Sequence, residues 1–333
     1  MHAANQATGF TQGAISENAQ TCVVIVNYRG AEDTAFCLAS LQASTVPVRV
    51  VVVDTTPYDE ALMPVLAQFP GVHLIQADKN LGFGRGNNVG IRWALRETAC
   101  DYLFLLNNDA STFPDSIAQL EQYLQSHPEL SILTPRIAYR DEPGKLWYGG
   151  GDVDWRRASV FTPGFNEDVN APVALQERDV TFASGCALFL RRTAMETVGG
   201  FDSRFFMYEE DVEWCLRASQ KQFVIRYVPT VLVLHRAQGG SKSEEDDRTD
   251  FWSVKNPRLP FYAFHVIRNR LLNLATYAHG RDRVIALLFF PLYIARRAGP
   301  FVLGGRWDAV QAMFKGVADF WRNRRSRPVD ELS

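Results

Sequence analysis

Four short apolar runs, each followed by polar or helical sequence, constrain the fold of this chain more than any other feature. The runs are rich in valine, isoleucine and leucine and cover residues 21–27, 48–54, 72–76 and 101–106. Helical spacing separates them at residues 31–43, 58–69 and 87–98. Strands that are apolar throughout are typical of a parallel sheet with helices on both faces. The sequence therefore predicts an α/β fold with a mainly parallel sheet flanked by helices.

The pattern continues less regularly after residue 110. Helical spacing is predicted at residues 114–127 and 209–219, strands at 180–191 and 223–235, and turns with short antiparallel strands at 140–180. In the first helical stretch, Phe36, Leu38 and Leu41 are the predicted core positions. A further helix is predicted at 261–278, with the polar residues 268–270 inside it.

Composition divides the chain of 333 residues into four parts. Residues 1–20 are polar, lack the features of a signal peptide and are expected to form a loose tail. Residues 21–240 are expected to form the α/β domain, 241–260 a mobile acidic loop, and 261–333 an amphipathic helical extension. The apolar run at 284–295 contains Pro291 and is shorter than the roughly 20 residues of a spanning helix, so no transmembrane segment is predicted.

Charge and cysteine content exclude some functions and indicate a compartment. The net charge of −2 gives no general basis for binding nucleic acid. The five cysteines are scattered, without the close pairs typical of zinc sites. They are therefore predicted to be reduced thiols of a cytosolic protein.

The C-terminal extension is basic as well as apolar. Residues 281–333 carry ten arginines and lysines against five acidic residues, interleaved with Phe, Trp and Leu. Basic amphipathic helices suit an anionic membrane surface. A helical cap on the main domain, or contact with a second subunit, remains an equally open interpretation.

The fourth apolar run ends on a polar triplet that is a candidate metal site. Asn107, Asn108 and Asp109 follow the strand directly. Ligands of open α/β sheets bind at the carboxyl ends of the strands, where Asn27 and Asp54 also lie. We expect Asp109 to hold a divalent cation and, through it, the diphosphate of a sugar donor. The alternative is a strand-to-loop turn, which Asn and Asp also favour.

A second acidic group follows an aromatic cluster at residues 201–208. Glu209, Glu210 and Asp211 fall at a predicted helix start. A carboxylate packed beside aromatic rings can be poised as a general base, here for deprotonating an acceptor hydroxyl. The alternative is an ordinary acidic first helical turn.

Each of the remaining candidates is weaker evidence for a functional site when taken alone. His235 ends a predicted strand and gains interest only if it meets Asp109. The glycine-rich stretch at 80–88 has Asn87 where a dinucleotide fingerprint requires its third glycine, and it does not follow the first strand. It is expected to approach a nucleotide sugar, with Arg85 near the phosphates, or else to be a plain helix entry. Asp54 could accept the imide N–H of uracil or thymine, or cap a helix.

In order and spacing, these motifs resemble glycosyltransferase family 2, in its rhamnosyltransferase-like branch. The resemblance covers residues 21–240 and rests on VVIVNY at 23–28, VVVD at 51–54, NLGFGRGNNVG at 80–90, LLNND at 105–109, SGCA at 184–187, GFD at 200–202, YEEDVE at 208–213 and His235. It implies a GT-A fold and an inverting, metal-dependent transfer from a nucleotide diphosphate sugar.

The resemblance also implies roles for individual residues. Asp109 and His235 would bind Mg²⁺ or Mn²⁺, and Asp211 would be the base, with Glu210 next in line. Asn107 stands where the family pattern has a first acid, so this site offers one carboxylate fewer. The residues expected to bind the donor are Asn27, Tyr28, Asp54, Asn80, Gly82, Arg85, Asn87 and Asn108.

The branch implies dTDP-L-rhamnose as donor and a saccharide or lipid-linked saccharide as acceptor, in bacterial surface polysaccharide synthesis. The expected location is the cytoplasm or the inner face of its membrane. Another UDP-, dTDP- or GDP-sugar donor remains open. So does a sugar nucleotidyltransferase, although residues 28–31 make a poor triphosphate loop. A non-catalytic carbohydrate-binding relative is disfavoured because Asp109, Asp211 and His235 occur together.

Overall fold

The computed structural model describes residues 14–57, 60–155, 158–237 and 252–324. The first 13 residues and most of the predicted acidic loop lie outside this part of the chain. The strands described are β1 Thr21–Asn27, β2 Val48–Asp54, β3 Val72–Gln76, β4 Tyr102–Leu106, β5 Ala110–Thr112, β6 Ile132–Tyr139, β7 Leu146–Tyr148, β8 Asp152–Asp154, β9 Ser159–Phe161, β10 Arg178–Val180, β11 Ala187–Arg191 and β12 Ile225–His235. The helices described are α1 Ala31–Gln42, α2 Leu62–Leu66, α3 Phe83–Glu97, α4 Ser116–Ser126, α5 Arg192–Val198, α6 Glu210–Gln220, α7 Leu259–Tyr277, α8 Gly280–Leu303 and α9 Trp307–Asn323.

The main sheet has the order β10-β12-β6-β11-β4-β1-β2-β3, with β5 added to β12 and β7 to β6. Strands β4, β1, β2 and β3 are parallel, as predicted from their continuous apolar runs. Strand β11 is antiparallel to both of its neighbours. Strand β12, the last in the chain, lies between β10 and β6. The predicted fold, a mainly parallel sheet flanked by helices with a helical extension, is confirmed.

Close packing of α3 on the sheet explains two of the glycines in the glycine-rich stretch and its continuation. A Cβ on Gly90 would lie 2.5 Å from the Val24 side chain, and one on Gly86 would lie 2.8 Å from Val26. Any larger residue would push the helix away from β1, because interiors leave no room for an added methyl group. The same packing sets the start of α3 beside the carboxyl end of β1.

Several local predictions were wrong. Phe36 is 51% exposed, with the Arg140 guanidinium over its ring, whereas Leu38 and Leu41 are buried. The second helix is only α2 Leu62–Leu66, and α3 begins four residues earlier than predicted. Residues 184–186, predicted as strand, form a turn before β11. All five cysteines are buried and free, in agreement with the prediction of reduced thiols.

The C-terminal extension consists of α7, α8 and α9. Met313 of α9 is fully buried in the cluster that Ile267 of α7 also joins. Helix α8 passes through Pro291 and Pro300 without ending, so the apolar run at 284–295 belongs to one longer helix of 24 residues. Within the described residues it is the one helix long and apolar enough to cross a membrane, judged by length and composition alone.

Candidate active site

Strand pairing brings Asp109 and His235 together although 126 positions separate them in sequence. The short strand β5 follows Asp109 and pairs antiparallel with β12, so that Ala110 lies opposite His235. The Arg236 backbone N–H donates to the Asp109 carbonyl at 3.0 Å. As a result, His235 Nε2 lies 3.0 Å from Asp109 Oδ1, and both side chains are nearly buried.

Asp109 and His235 shift each other's pKa in opposite directions. Burial alone would raise the pKa of the Asp109 carboxyl, but the charge of His235 lowers that pKa below its ordinary value. Burial alone would lower the pKa of the His235 imidazole, but Asp109 raises that pKa well above its ordinary value. A divalent cation that binds both side chains must displace the proton between them.

Asn107 supplies a third group at the same point. Its Nδ2 lies 3.3 Å from His235 Nε2, and its buried Oδ1 has no hydrogen-bond partner among the described residues. A half-turn of the amide exchanges oxygen and nitrogen, and would present Oδ1 to His235 Nε2. In the described part of the chain no cluster of three or more His, Cys, Asp or Glu side chains could hold a metal. A cation here would therefore need the Asn107 oxygen and ligands from the donor.

Two arginines that sequence reasoning missed flank this corner. Arg140 and Arg236 both donate to the buried Asp33 carboxylate of α1, at 2.8 and 2.9 Å. Arg140 also helps to lower the pKa of Asp109. Acidic Asp33 was visible in the first helix, but nothing in its spacing pointed to partners more than 100 residues away.

Asn27, Asp54 and Asn108 form one hydrogen-bonded group at the carboxyl ends of β1, β2 and β4. The Asn27 Nδ2 donates to Asp54 Oδ1 at 2.9 Å, and Asn108 Nδ2 donates to Asn27 Oδ1 at 3.2 Å. Asn108 also donates to the Gly30 carbonyl, at 3.3 Å. Asn27 and Asn108 thus use their side chains to hold the turn between β1 and α1.

One carboxylate oxygen of Asp54 has no hydrogen-bond partner in this group. Its Oδ1 accepts from Asn27 and, at 3.0 Å, from the Thr56 backbone N–H, whereas its buried Oδ2 has no partner among the described residues. Asp54 does not cap a helix, because α2 begins only at Leu62. Nearby, Tyr28 exposes 40% of its surface. A buried carboxylate oxygen without a partner, close to an exposed ring, could accept from the edge of a nucleotide base that stacks on the ring.

The glycine-rich stretch makes a tight entry to α3. Gly82 has φ 75°, and a Cβ there would lie 2.0 Å from the Phe206 carbonyl oxygen. The Asn80 Oδ1 accepts from the Gly82 N–H at 2.9 Å, and Asn87 Nδ2 donates to the Phe83 carbonyl at 3.0 Å. Arg85 is half-buried on the first turn of α3. Gly82 is thus required for the loop at 206–209 to pass close by.

Asp211 is held at the start of α6 by backbone donors. Its Oδ2 accepts from the Gly185 N–H at 3.0 Å, and its Oδ1 accepts from the Val212 N–H at 2.9 Å. Burial nevertheless dominates and raises the pKa of Asp211 to about 6. A carboxylate with that pKa is ionised at pH 7 and accepts a proton more readily than an ordinary one.

Glu210, next to Asp211, is buried with fewer hydrogen-bond donors around its carboxyl group. Burial, followed by the charge of Asp211, raises the pKa of Glu210 well above its ordinary value. Its Oε2 is buried and has no partner among the described residues. Backbone N–H groups donate to both oxygens of the Asp211 carboxylate, so of the two neighbouring acids Asp211 is the better candidate for a base.

Helix α7 clamps the backbone that leads to these acids. Tyr208 and Glu209 both have positive φ, 66° and 68°, which is unfavourable for residues with a side chain. Asn269 is fully buried, and its Nδ2 donates to the carbonyls of Met207 and Tyr208 at 2.9 and 2.7 Å.

The clamp continues on the same helix. The Asn273 side chain donates to the Glu209 carbonyl at 3.1 Å, and Arg270 forms a buried ion pair with the Glu209 carboxylate. Sequence reasoning did not find these residues. The one signal was the polar group 268–270 inside an otherwise apolar helix.

We expect Asn269→Ala to weaken catalysis through the position of Asp211. Two carbonyls would lose their donor, so the free energy of unfolding should fall by about 1–3 kcal/mol. The turnover number should fall while the KM for the donor stays close to that of the wild type. Urea unfolding and steady-state kinetics measure both. Thr276→Ala, exposed on the same helix, should change neither. A wild-type turnover number for Asn269→Ala would show that the clamp does not matter for the site.

One cavity is lined both by His235 and by the acids at the start of α6. It has a volume of about 340 Å³ and is lined by residues from β12, α6, α7 and the turn at 184–186. Asn107 and His235 stand on its wall together with Glu210, Asp211 and Arg270. The group around Asn27 and Asp54 does not line this cavity. The group around Asn27 and Asp54 is thus separate from the cavity whose wall carries both His235 and Asp211.

Comparison with known proteins identifies the family. The family model described as "Glycosyl transferase family 2" matches residues 22–199, more than half of the chain. The chain belongs to glycosyltransferase family 2. This glycosyltransferase is 30% identical over 236 residues to the N-acetylglucosaminyl-diphospho-decaprenol L-rhamnosyltransferase of Mycobacterium tuberculosis, over 64% of this chain and 75% of that protein. It is 25% identical over 233 residues to rhamnosyltransferase WbbL of Escherichia coli, over 66% of this chain and 85% of that protein.

The predicted resemblance to the rhamnosyltransferase-like branch is confirmed by these relatives. The activity class is that of a glycosyltransferase, so the alternatives of a nucleotidyltransferase and of a non-catalytic relative are set aside. The family match ends at residue 199 and leaves out both Asp211 and His235.

Solved structures confirm the GT-A fold. The mannosyltransferase PcManGT from Pyrobaculum calidifontis, in complex with GDP-Man and Mn²⁺, covers 97% of this chain and 80% of its own, with a TM-score of 0.52 and 14% identity. GalNAc-T7 with UDP, GalNAc and Mn²⁺ covers 95% of this chain and 59% of its own, with a TM-score of 0.58 and 14% identity. At these identities the likeness concerns the fold.

Proposed function

We propose that this enzyme transfers L-rhamnose from dTDP-L-rhamnose to a hydroxyl of a lipid-linked saccharide in bacterial surface polysaccharide synthesis. One observation carries the proposal. A single cavity is lined by His235, which contacts the buried Asp109 carboxylate, and by the buried Asp211, whose pKa is about 6. The names of the relatives supply the sugar: they include two rhamnosyltransferases and the dTDP-rhamnosyl transferase RfbF of Shigella flexneri.

Asp211 acts as the general base in this proposal. Its backbone hydrogen bonds to Gly185 and Val212 fix the carboxylate, while burial raises its affinity for a proton. It accepts the proton of the acceptor hydroxyl as the oxygen attacks the anomeric carbon from the face opposite the diphosphate. One such displacement inverts the anomeric centre without a covalent enzyme intermediate.

Asp109, His235 and the Asn107 oxygen would hold a divalent cation, Mg²⁺ or Mn²⁺. A bound cation supplies charge stabilisation for the departing diphosphate. The unpartnered Asn107 Oδ1 and the displaceable proton of the Asp109–His235 pair support this ligand set. With one carboxylate instead of two, these residues would bind the cation more weakly and would leave positions for oxygen ligands from the donor.

Asp54 and Tyr28 hold the nucleotide base. The free Asp54 Oδ2 accepts the imide N–H of thymine or uracil, and the exposed Tyr28 ring offers a face for stacking. Asn27 and Asn108 act behind them by keeping the β1–α1 turn in place. At the glycine-rich stretch, Asn80, Gly82 and Asn87 shape the loop beside the donor.

A thermal-shift screen of nucleotide sugars tests the donor. With Mn²⁺ present, dTDP-L-rhamnose should raise the melting temperature most, and UDP-sugars less, because ligand binding to the folded state stabilises it. GDP-sugars serve as the control, since guanine does not offer the same imide edge. A larger shift with a GDP-sugar would contradict the assignment of Asp54. Radiolabelled transfer to a lipid-linked acceptor then tests the reaction itself.

The pH dependence of the reaction follows from Asp211. The base works only when ionised, so kcat/KM should fall about tenfold per pH unit once the pH drops below the pKa of about 6. Rates measured from pH 4.5 to 8 at saturating concentrations of metal and donor show this decrease of kcat/KM. A profile that stays flat down to pH 5 would show that a group of ordinary carboxyl pKa, or none, accepts the proton.

The four-part division of the chain remains our proposal, with residues 21–240 as the catalytic domain and 261–333 as the helical extension. We place the enzyme in the cytoplasm, at the inner face of the membrane. The support is the outer side of α8, which exposes Leu287, Leu288 and Leu292. A second copy of the chain is the other partner that this apolar side could contact.

A further inference from the structure

A second cavity lies between α8 and strand β9. Its volume is about 780 Å³, more than twice that of the catalytic cavity. Its walls are largely apolar, with Phe289 and Leu292 of α8 on one side and Val160 of β9 on the other. We call it the α8 groove.

The α8 groove adjoins the catalytic cavity. Val160 and Trp252 line both spaces, so the two have walls in common. Arg270, which lines the catalytic cavity and holds Glu209, donates to the Tyr293 hydroxyl at 2.6 Å on the groove side. A ligand that fills the catalytic cavity could therefore extend into the groove past Trp252.

Two arginines stand in the groove. The Arg297 guanidinium lies over the rings of Trp252, at 4.7 Å, and Tyr293, at 5.7 Å, whereas Arg296 is exposed. Neither forms an ion pair with an acidic side chain in the described residues. Guanidinium groups without carboxylate partners are suited to binding phosphate oxygens.

The apolar surface extends from the groove along α8. Leu288 is 70% exposed and Leu292 62%, and Val284 and Leu287 lie on the same side of the helix. Basic and apolar groups therefore occur in sequence along one path: the base and cation site first, then the arginines, then an open apolar helix surface. A saccharide, a diphosphate and a hydrocarbon chain follow one another in the same order in a lipid-linked acceptor.

We propose that the α8 groove binds the lipid diphosphate part of the acceptor, with Arg296 and Arg297 on the diphosphate and Phe289 and Leu292 against the first hydrocarbon units. This assignment rests on the proposed function, which puts the saccharide in the catalytic cavity. It makes the C-terminal extension a part of the acceptor site. Specificity for lipid-linked acceptors then comes from the groove and not from the catalytic residues.

The test compares two acceptors that carry the same saccharide, one on a polyprenyl diphosphate and one on a short uncharged aglycone. The full chain and the variant Arg296→Ala/Arg297→Ala are assayed with each. The variant should raise KM for the polyprenyl diphosphate acceptor at least about tenfold, the loss expected for charge-assisted hydrogen bonds. The turnover number, the KM of the donor and the KM of the short acceptor should stay within about twofold, the scatter of a neutral substitution.

Two further variants act as controls. Arg296→Lys/Arg297→Lys keeps the charge and should recover most of the lost affinity. Arg322→Ala, exposed near the end of α9, removes a distant positive charge and should leave both KM values unchanged. Equal losses with both acceptors, or no loss with either, would overturn the assignment.

Direct binding separates this proposal from the proposed function. Calorimetry with geranylgeranyl diphosphate needs no turnover, and the wild type should bind it more tightly than the double alanine variant does. If the wild type binds this probe in that way but transfers no sugar, the groove is supported and the proposed function fails.

Two outcomes would assign the groove to another occupant and sink the proposal. In the first, the double alanine variant loses flotation with anionic vesicles while its acceptor KM is unchanged, so the arginines contact the bilayer surface. In the second, it changes from dimer to monomer with unchanged kinetics, so a second copy covers α8.

Discussion

Asp211→Asn is expected to lower the turnover number by about 100- to 10,000-fold, the contribution of a positioned general base. Asparagine has the same shape and its Oδ1 can still accept from the Gly185 N–H, although the Val212 N–H then loses its acceptor; the loop and α6 should keep their structure. Donor binding should stay within about twofold, because ordinary substitutions away from a ligand change free energies by less than about 0.5 kcal/mol. Transfer kinetics and calorimetry with the nucleotide diphosphate measure the two effects separately.

Glu210→Gln is the matched control for that variant. Because burial raises the pKa of the Glu210 carboxyl well above its ordinary value, the neutral amide is a close mimic of its protonated form. We expect the turnover number of Glu210→Gln to remain within about tenfold of wild type, well short of the loss for a base. The reverse order, with Asp211→Asn active and Glu210→Gln inactive, would move the role of base to Glu210.

Asp109→Asn should remove the dependence of donor binding on metal and reduce transfer at least about 100-fold, since a catalytic cation contributes several kcal/mol to stabilising the leaving charge. The substitution keeps the backbone bond from Arg236 but leaves His235 without its carboxylate partner. Calorimetry of dTDP binding with and without Mn²⁺ provides the measurement. In the wild type Mn²⁺ should strengthen binding, and in the variant the two titrations should coincide.

Two comparisons make the Asp109 result specific. Asp115→Asn, at an exposed position before α4, should keep the wild-type response to Mn²⁺. Asn107→Asp restores a second carboxylate and should tighten metal binding. If Mn²⁺ strengthens dTDP binding equally in the wild type and in Asp109→Asn, Asp109 is not a ligand and the His235 pairing is structural.

The parallel half of the sheet could be predicted from the sequence, because its strands are buried on both faces and carry uninterrupted apolar runs. The polar residues at their carboxyl ends followed, since topology alone brings Asn27, Asp54 and Asn108 to one edge. The meeting of Asp109 with His235 came only from the family resemblance. The three-residue strand β5, which aligns them, carries no periodicity that sequence reasoning could use.

Other features depend on contacts that local sequence does not encode. Phe36 has the spacing of a core residue, but α1 turns it outward beneath Arg140. Pro291 fails to break α8, since a helix can continue through a proline when the lost hydrogen bond is tolerated. The Asn269 side chain donates to backbone carbonyls that lie more than 60 residues earlier in the chain, so only the folded structure shows its importance.

The position of β12 has a consequence for how the protein is made. This strand is the last of the main sheet to leave the ribosome, yet it lies between β6 and β10 and not at the edge. Until residue 235 has been synthesised, β6 presents unpaired backbone groups to solvent, the kind of open edge that favours aggregation. The insertion that closes this gap also delivers His235, and α7 emerges later still. A nascent chain can thus bring Asn27, Asp54 and Asn108 together early, but it gains the Asp109–His235 pair and the contacts of α7 with residues 207–209 only when synthesis is nearly complete.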